Sequence, residues 1–450
     1  MTLKFGTDGV RGVANVELTP ELVQALGRAA ARVLGGPSFV VGRDTRVSGP
    51  TLQAALASGL AAQGADVIDL GVVPTPAVAH ASATLGLPAA MISASHNPYT
   101  DNGVKFFLPG GRKLSDEVEA ALEAALETAL ETPPTQQPEG GRAAPPGPRP
   151  QGVDSRYEAH VQASLEGRTL EGLHVVVDCA NGAGSVVAPR VLKALGAAVD
   201  VLHAEPDGVN INAGCGSTYP ASLQQAVVDR KADVGLALDG DADRVLAVDH
   251  TGALVDGDQL MALLALDLRD RGGLHGDTLV VTVMSNLGLR LAMADAGVAV
   301  HETQVGDRYV LEALEANGWS LGGEQSGHVI FRDLATTGDG LLTGVQVLDV
   351  LRRRGRPLAD LAAVMTRLPQ VLRNVRVASR DGLDEARPVW DAVAAVEQRL
   401  GRQGRVLLRP SGTEPVVRVM VEAGDEATAA AAADELAAAV GEWGKLAATT

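Results

Sequence analysis

Aromatic side chains are scarce, at 3% of 450 residues. With so few Phe, Tyr and Trp, hydrophobic cores must be assembled from Leu, Val and Ala. Cysteine is nearly absent, with only Cys179 and Cys215. They form no CxxC and no metal-ligand spacing, which excludes a disulfide scaffold and a zinc ribbon. Both are expected as buried small residues in a reducing cytosol. Basic charge is in deficit: 38 Lys and Arg against 55 Asp and Glu, for a net charge of −17. A general nucleic-acid-binding surface is thereby excluded, because phosphate backbones attract basic faces; local basic pockets are not. Lysine occurs only at 4, 105, 113, 193, 231 and 445, so a lysine inside a motif stands out. No run reaches the ~18 uninterrupted apolar residues of a membrane span. The start, MTLKFGTDGV, lacks the apolar core of a secretory signal. A soluble, cytoplasmic protein without membrane or nucleic-acid partners is expected.

What is present is glycine, 52 residues of it, and a length too great for one core. A common grammar recurs three times. FVVGRDTR at 39 leads into TLQAALASGLAAQGA and then DVIDLG. HVVVDCANGAG at 174 leads into VVAPRVLKALGA and then AVDVL. LVVTVMSNLG at 279 leads into LRLAMADAG and then VAVHET. Each reads as strand, polar loop, Ala/Leu helix and strand, the βαβ plan of an α/β sheet with helices outside. An acidic amphipathic helix is expected over 115–131. A Pro/Gly-rich linker follows over 132–152. The fold class predicted is α/β: three similar mixed-sheet domains over 1–150, 151–250 and 251–368. A smaller α+β C-terminal domain over 369–450 follows.

Four segments carry chemistry. LDGDADRVLAV, 238–248, spaces Asp239, Asp241 and Asp243 two apart, which in an extended chain puts three carboxylates on one side. Carboxylates that close repel unless a cation sits among them, and hard oxygen ligands suit Mg²⁺ or Ca²⁺. An EF-hand opens with the same pattern but needs Gly at position six and Glu at twelve; here these are Arg244 and His250. A solvated acidic turn is the plainer alternative. Arg244 stands ready to bridge from a metal to a phosphate. RPSGTEPVVRV, 409–419, offers the guanidiniums of Arg409 and Arg418, the hydroxyls of Ser411 and Thr413, and backbone N–H groups around Gly412. These match an anion such as phosphate, although a capped surface loop would look similar. GGEQSGH, 322–328, places Glu324, Ser326 and His328 in a Gly-flanked loop suited to a polyhydroxylated ligand, or to a plain turn. ISASHNP, 92–98, suggests a Ser-His-Asp hydrolase. No G-x-S-x-G elbow is present, and the adjacent side chains of Ser95 and His96 usually diverge. A buried structural loop is the alternative. FGTDGVRG at 5–12 adds Arg11 in a Gly-rich turn that either faces a phosphate or merely closes a hairpin.

In the order FGTDGVRG, SASHNP, DGDADR, GEQSGH, RPSGTEP, these segments resemble the α-D-phosphohexomutase family over essentially the whole chain, which implies four domains around a central cleft. SASHNPYTDNGVKFF, the Ala in DGDADR, VGDRYVLE and GEQSGH look like its phosphoglucosamine mutase branch. The resemblance implies a reversible phosphoryl shift between glucosamine 6-phosphate and glucosamine 1-phosphate, on the route to UDP-N-acetylglucosamine. It implies a phosphoserine carrier at Ser95, the serine preceding His-Asn-Pro, primed by a sugar 1,6-bisphosphate. One Mg²⁺ would be held by Asp239, Asp241, Asp243 and Ser95. Lys105 is the implied acid/base partner, with His96, Arg11 and His328 as rivals for proton transfer or charge stabilisation. Glu324 and Ser326 would bind ring hydroxyls. Asp307 and Arg308 of the VGDRY loop would help select the sugar. Arg409, Ser411, Gly412, Thr413 and Arg418 would grip the phosphate that is not reacting. Relatives of this branch are often dimers, so the resemblance implies a homodimer, of which the residues themselves carry no sign.

Other readings remain open. A glucose or mannose phosphate would serve as substrate in sister branches. A phosphatase would use the same Ser95 and admit water. A sugar-phosphate sensor would keep the cleft without the reaction, but would have no need of a metal-assembled nucleophile.

Overall fold

The structure is a computed structural model that describes residues 9–131, 153–411 and 415–447. The linker expected over 132–152 lies outside the described residues. Among the described residues the chain is α/β, with three sheets of mixed pairing and a smaller antiparallel one. It divides into two compact units, one of 1–284 with 298–364 and one of 285–297 with 365–450.

In the first unit, the apolar run at 38–43 becomes the strand Ser38–Arg43, paired in parallel with Asp66–Val72 and Ala89–Ile92. Ala89–Ile92 then pairs antiparallel with Asp101–Leu108, and the edge is Val10–Val13. Helices Pro20–Leu34 and Gly49–Ala61 pack over this sheet around Phe39, Val41, Leu52, Leu56 and Leu60, all fully buried. The first of these helices starts where Thr19 accepts the Leu22 N–H and Pro20 fixes the first turn. A second sheet runs Leu254–Val255, Val245–Asp249, Val234–Leu238, His174–Asp178, Ala198–Leu202. Val234–Leu238 and Val245–Asp249 form an antiparallel pair, and the DGDADR segment is the turn that joins them. A third sheet places Thr278–Thr282 between Ala299–Thr303 and Leu321–Gly323, with Val329–Phe331 at its edge. Among the described residues no helix is long and apolar enough to cross a membrane.

The second unit holds the antiparallel strands Gln370–Arg376, Val416–Glu422 and Arg405–Pro410. Helices Arg387–Leu400 and Glu426–Ala447 cover them on a Val, Ala and Leu core. The helix Leu287–Asp295 is grouped here by its contacts, while it also forms the middle of the third βαβ that the repeat pattern predicts, between the parallel strands Thr278–Thr282 and Ala299–Thr303. Fully buried Glu422 explains the attachment. Its carboxylate accepts the Leu287 N–H at 3.0 Å, the Asn286 amide at 3.1 Å and the Arg405 guanidinium at 2.9 Å. Contacts between residues more than a hundred positions apart leave no periodic trace.

Candidate functional site

Strand Ala89–Ile92 delivers the chain into the SASHNP turn, where Ser95 is fully buried and held at φ +51°. Few non-glycine residues adopt that left-handed conformation. Ser95 Oγ donates to Asp239 Oδ2 at 2.5 Å. His96 does not diverge as neighbouring side chains usually do. Its Nδ1 lies 3.4 Å from Ser95 Oγ and 3.2 Å from Arg244 Nη1. Burial, reinforced by the charges of Arg244 and Arg11, lowers the His96 pKa to about 4, which keeps the ring neutral near pH 7. Ser93 has a supporting role: its Oγ accepts the Ser95 N–H at 2.9 Å and donates to Asp44 Oδ2 at 2.6 Å.

Asp239, Asp241 and Asp243 are all buried, with carboxylate oxygens within 4.8 Å of one another. The alternation argument reaches this cluster by the wrong route. These residues lie in a turn rather than an extended strand, and Ala242 at φ +57° bends the chain so that the carboxylates converge. Lys105, on strand Asp101–Leu108, reaches Asp241 Oδ2 at 2.7 Å and Asp243 Oδ2 at 3.2 Å. Thr75, at the start of helix Thr75–Leu85, donates to Asp241 Oδ2 at 2.6 Å, and its N–H reaches the Asp241 carbonyl. Burial and the charges of its two acidic neighbours hold the Asp239 carboxyl well above the usual range. Asp243 is held well below it: burial pushes up, but Lys105, His328 and Arg244 outweigh burial. Asp241 Oδ1 and Asp243 Oδ1 are buried without a hydrogen-bond donor among the described residues. An all-oxygen set with two vacant buried lone-pair sites, already drawing an ammonium, fits a hard divalent cation such as Mg²⁺.

His328 is buried between Asp307 Oδ2 at 3.0 Å and Asp243 Oδ2 at 3.7 Å. Burial alone would lower its pKa, but the two carboxylates raise it to about 10. Glu324 and Ser326 occupy the tight hairpin between Leu321–Gly323 and Val329–Phe331, Ser326 exposed and its Oγ 3.4 Å from the Glu324 carboxylate. Gly327, at φ +91°, lets this hairpin press on the strand that follows Arg244, since a Cβ there would stand 2.1 Å from the Val245 carbonyl. Arg11 lies on Val10–Val13 opposite Gly103, and its charge is felt by His96.

Asp307 and Arg308, the two sugar-selecting candidates, stand at the start of helix Asp307–Asn317. Arg308 is buried against the segment 114–119, its guanidinium engaging the Leu114 carbonyl, Asp116 and Glu119. Asp307 accepts from His328 and from Lys113. Arg308 thereby ties this helix to helix Asp116–Glu131, while Asp307 ties it to the strand Arg112–Lys113 and to His328, which itself reaches Asp243. Their charge and Gly-preceded position are equally consistent with ligand binding when only the sequence is seen.

In the second unit, Arg409 and Arg418 face each other across the pair Arg405–Pro410 and Val416–Glu422. Burial and the adjacent Arg418 charge lower the Arg409 pKa, the signature of cations brought together where an anion would relieve them. Ser411 is buried and its N–H bonds the Val416 carbonyl. Gly412 and Thr413 lie outside the described residues, as do Thr7 and Asp8.

Sequence reasoning missed Asp44, Arg46, Thr75 and Asn212. All touch the Ser95 loop or the aspartates through contacts spanning 49 to 166 positions. The only local hint was a charged pair in GRDTR directly after a buried strand.

Comparison with known proteins places these loops in a family. Residues 2–132, 155–252, 256–368 and 372–439 match, in order, alpha/beta/alpha domains I, II and III and the C-terminal domain of phosphoglucomutase/phosphomannomutase. The chain is 55% identical to phosphoglucosamine mutase of Frankia alni, covering 98% of both chains. It is 54% identical to that of Moorella thermoacetica, covering 94% of this chain and 95% of the relative. A phosphoglucomutase/phosphomannomutase family protein from Burkholderia thailandensis superposes with a TM-score of 0.78 at 28% identity, over 97% and 96% of the two chains. The same fold is seen in Aspergillus fumigatus N-acetylphosphoglucosamine mutase, solved with GlcNAc-6P and magnesium: TM-score 0.69, 21% identity, 99% and 96% covered. With four family domains in sequence and more than half its residues shared along nearly its full length, the chain belongs to the α-D-phosphohexomutase family, in its phosphoglucosamine mutase branch.

Proposed function

We propose that this enzyme interconverts glucosamine 6-phosphate and glucosamine 1-phosphate through a phosphorylated Ser95 and a 1,6-bisphosphate. The observation that carries the reading is Ser95 Oγ, buried and hydrogen-bonded into the three-aspartate cluster beside Lys105. A hydrolase would need a base aimed at that oxygen. His96, with a lowered pKa and its Nδ1 shared with Arg244, is ill suited to take a proton from it.

In the forward half-reaction the P–Oγ bond of phosphorylated Ser95 breaks and a P–O1 bond to the sugar forms. The O1 proton leaves to a side-chain base, and a proton returns to Oγ, the atom that donates to Asp239 in the structure. Lys105 is the side chain we assign to this proton movement, since it is the amine buried among the carboxylates. Asp239, Asp241 and Asp243, with Ser95, would hold Mg²⁺, which when bound supplies positive charge to the phosphoryl oxygens. Arg244, beside His96, is placed to meet phosphoryl oxygens, and Arg11 is the second candidate cation. Glu324 and Ser326 would hold ring hydroxyls in either orientation of the sugar, so that the bisphosphate can return its other phosphoryl to Ser95. Arg409, Ser411, Gly412, Thr413 and Arg418 are assigned to a substrate phosphate. The working division into domains is 1–150, 151–250, 251–368 and 369–450. Two buried free cysteines suit a cytoplasmic enzyme, and the homodimer rests on analogy to the branch.

A coupled assay comparing glucosamine, glucose and mannose 6-phosphates, with free phosphate followed in parallel, tests the reading. Preference for glucosamine with negligible phosphate release is expected. Preference for mannose would overturn the branch assignment. Phosphate release equal to substrate loss would make the enzyme a phosphatase, and binding without turnover a sensor.

A further inference from the structure

We propose that Arg46 is a positioning residue for the phosphoryl carrier: its guanidinium locks the backbone of the SASHNP loop and so fixes where Ser95 Oγ stands. The proposal rests on the reading of Ser95 given above. Arg46 is fully buried, which is rare for an arginine unless it is paired. A guanidinium has five N–H donors, and here each has its own acceptor. Nε donates to Asp44 Oδ2 at 2.9 Å. One terminal nitrogen donates to the carbonyls of Ser95 and Asn97, both at 2.9 Å. The other donates to the carbonyls of Asp101, at 3.0 Å, and Pro98. Four carbonyls of one loop therefore converge on one planar cation, and Asp44 supplies the compensating charge.

The same carboxylate extends the lock to the Ser95 amide. Asp44 Oδ2 accepts from Ser93 Oγ, which accepts the Ser95 N–H. Ser95 is thus held at its carbonyl by Arg46 and at its amide through Ser93, both from one buried pair. From the loop that follows the second sheet's edge strand Ala198–Leu202, Asn212 Nδ2 also reaches the Ser95 and Asn97 carbonyls, at 2.9 and 3.1 Å. The lock is itself anchored there: Thr45 Oγ1 donates to the Asn181 carbonyl at 2.7 Å, and the Val47 N–H to that of Gly208 at 2.9 Å. A strained left-handed residue persists only when its surroundings over-determine it, and at Ser95 they do.

The consequence concerns which partner moves. A mutase must present the same oxygen to two different phosphates of one sugar. With the Ser95 loop pinned from two domains, the carrier stays still and the sugar turns. Lysine cannot replace Arg46, because an ammonium on a flexible stem cannot serve five diverging acceptors.

The test compares wild type with Arg46→Lys, the paired variant Arg46→Met/Asp44→Leu, and Asn212→Ala. The paired variant removes both charges, so it leaves no uncompensated ion if the single change fails to fold. Each is assayed for kcat and KM, and for the rate at which glucose 1,6-bisphosphate phosphorylates Ser95, read by intact and peptide mass. A misplacement of ~1 Å costs about 100-fold in rate. We expect kcat and Ser95 phosphorylation to fall on that scale in both Arg46 variants and about tenfold in Asn212→Ala, with KM within about twofold of wild type. Rescue of kcat by Arg46→Lys, or wild-type kcat in Asn212→Ala, would overturn the lock. If wild type itself gains no phosphate on Ser95, the functional reading fails instead, and that result is separable because it needs no variant.

Discussion

Replacing Gly240 by alanine strikes the point where the Ser95 loop and the proposed metal loop touch. Gly240 lies between Asp239 and Asp241, and a Cβ there would stand 2.5 Å from the Ser95 carbonyl oxygen, 2.8 Å from Asn212 Nδ2 and 2.8 Å from Ile211 Cδ1. Ordinary contact begins near 3.4 Å, so one of the two loops must retreat by roughly 0.9 Å. The Ser95 carbonyl cannot give way cheaply, since Arg46 and Asn212 both donate to it at 2.9 Å. The metal loop must then move, taking Asp239 away from Ser95 Oγ. Gly240 is not among the positive-φ glycines, so the backbone itself tolerates a side chain and the effect is one of contact. Overpacking of this kind costs about 1–3 kcal/mol in stability. Displacing reacting groups by about 1 Å costs on the order of 100-fold in rate. Gly240→Ala should therefore melt a few degrees lower yet remain folded, and its kcat in the coupled mutase assay should fall about 100-fold. A folded variant with kcat within twofold of wild type would show that the loops do not abut as described.

The two serines of the loop separate by role. Ser95→Ala should abolish turnover, whereas Ser93→Ala, which loses the Asp44 contact and the support of the Ser95 amide, should lower kcat only about tenfold; the reverse order would exchange their assignments. Mg²⁺ at 100 times its Kd should raise the unfolding free energy of the folded chain by about 2.7 kcal/mol. The shift should vanish on chelation and be largely lost in Asp243→Asn, so an equal shift in the variant would place the ion elsewhere. Asp339 caps the helix Gly340–Arg354, and burial pushes its pKa up to about 6 from an ordinary 3.8. A carboxyl raised on folding contributes fully below its unfolded pKa and loses that contribution as pH climbs through about 6. The gap corresponds to about 3 kcal/mol. Asparagine keeps the cap, so Asp339→Asn should gain stability over wild type between pH 4 and 7, measured by urea midpoints; parallel pH profiles would refute this.

Legibility from sequence follows the range over which each cause acts. Strand-loop-helix grammar is local, so the elements at 39–72, 174–202 and 279–303 emerge from periodicity alone. The failures are of range. Helix Leu287–Asp295 is the crossover of the third βαβ, as its pattern reads, but its tie to Glu422, more than 130 positions away, is invisible locally. Arg308 pairs with Asp116 across 192 positions and with Glu119 on the same helix, contacts that no local pattern in VGDRY announces.

The aspartate triad makes the distinction sharper, because there the conclusion survives although its warrant does not. Alternation on an extended strand would align three carboxylates along one face, at a repeat near 7 Å for every second residue. That spacing is too wide for three oxygens to share one small cation. The observed turn brings them within 4.8 Å through Ala242 in a left-handed conformation, while the absence of a side chain at Gly240 lets the turn lie against Ser95. The small residues between the acids are therefore as much a part of the site as the acids. Gly240 admits the Ser95 carbonyl, Ala242 makes the bend, and a bulky residue at either place would leave the D-x-D-x-D pattern intact while separating the metal loop from its serine.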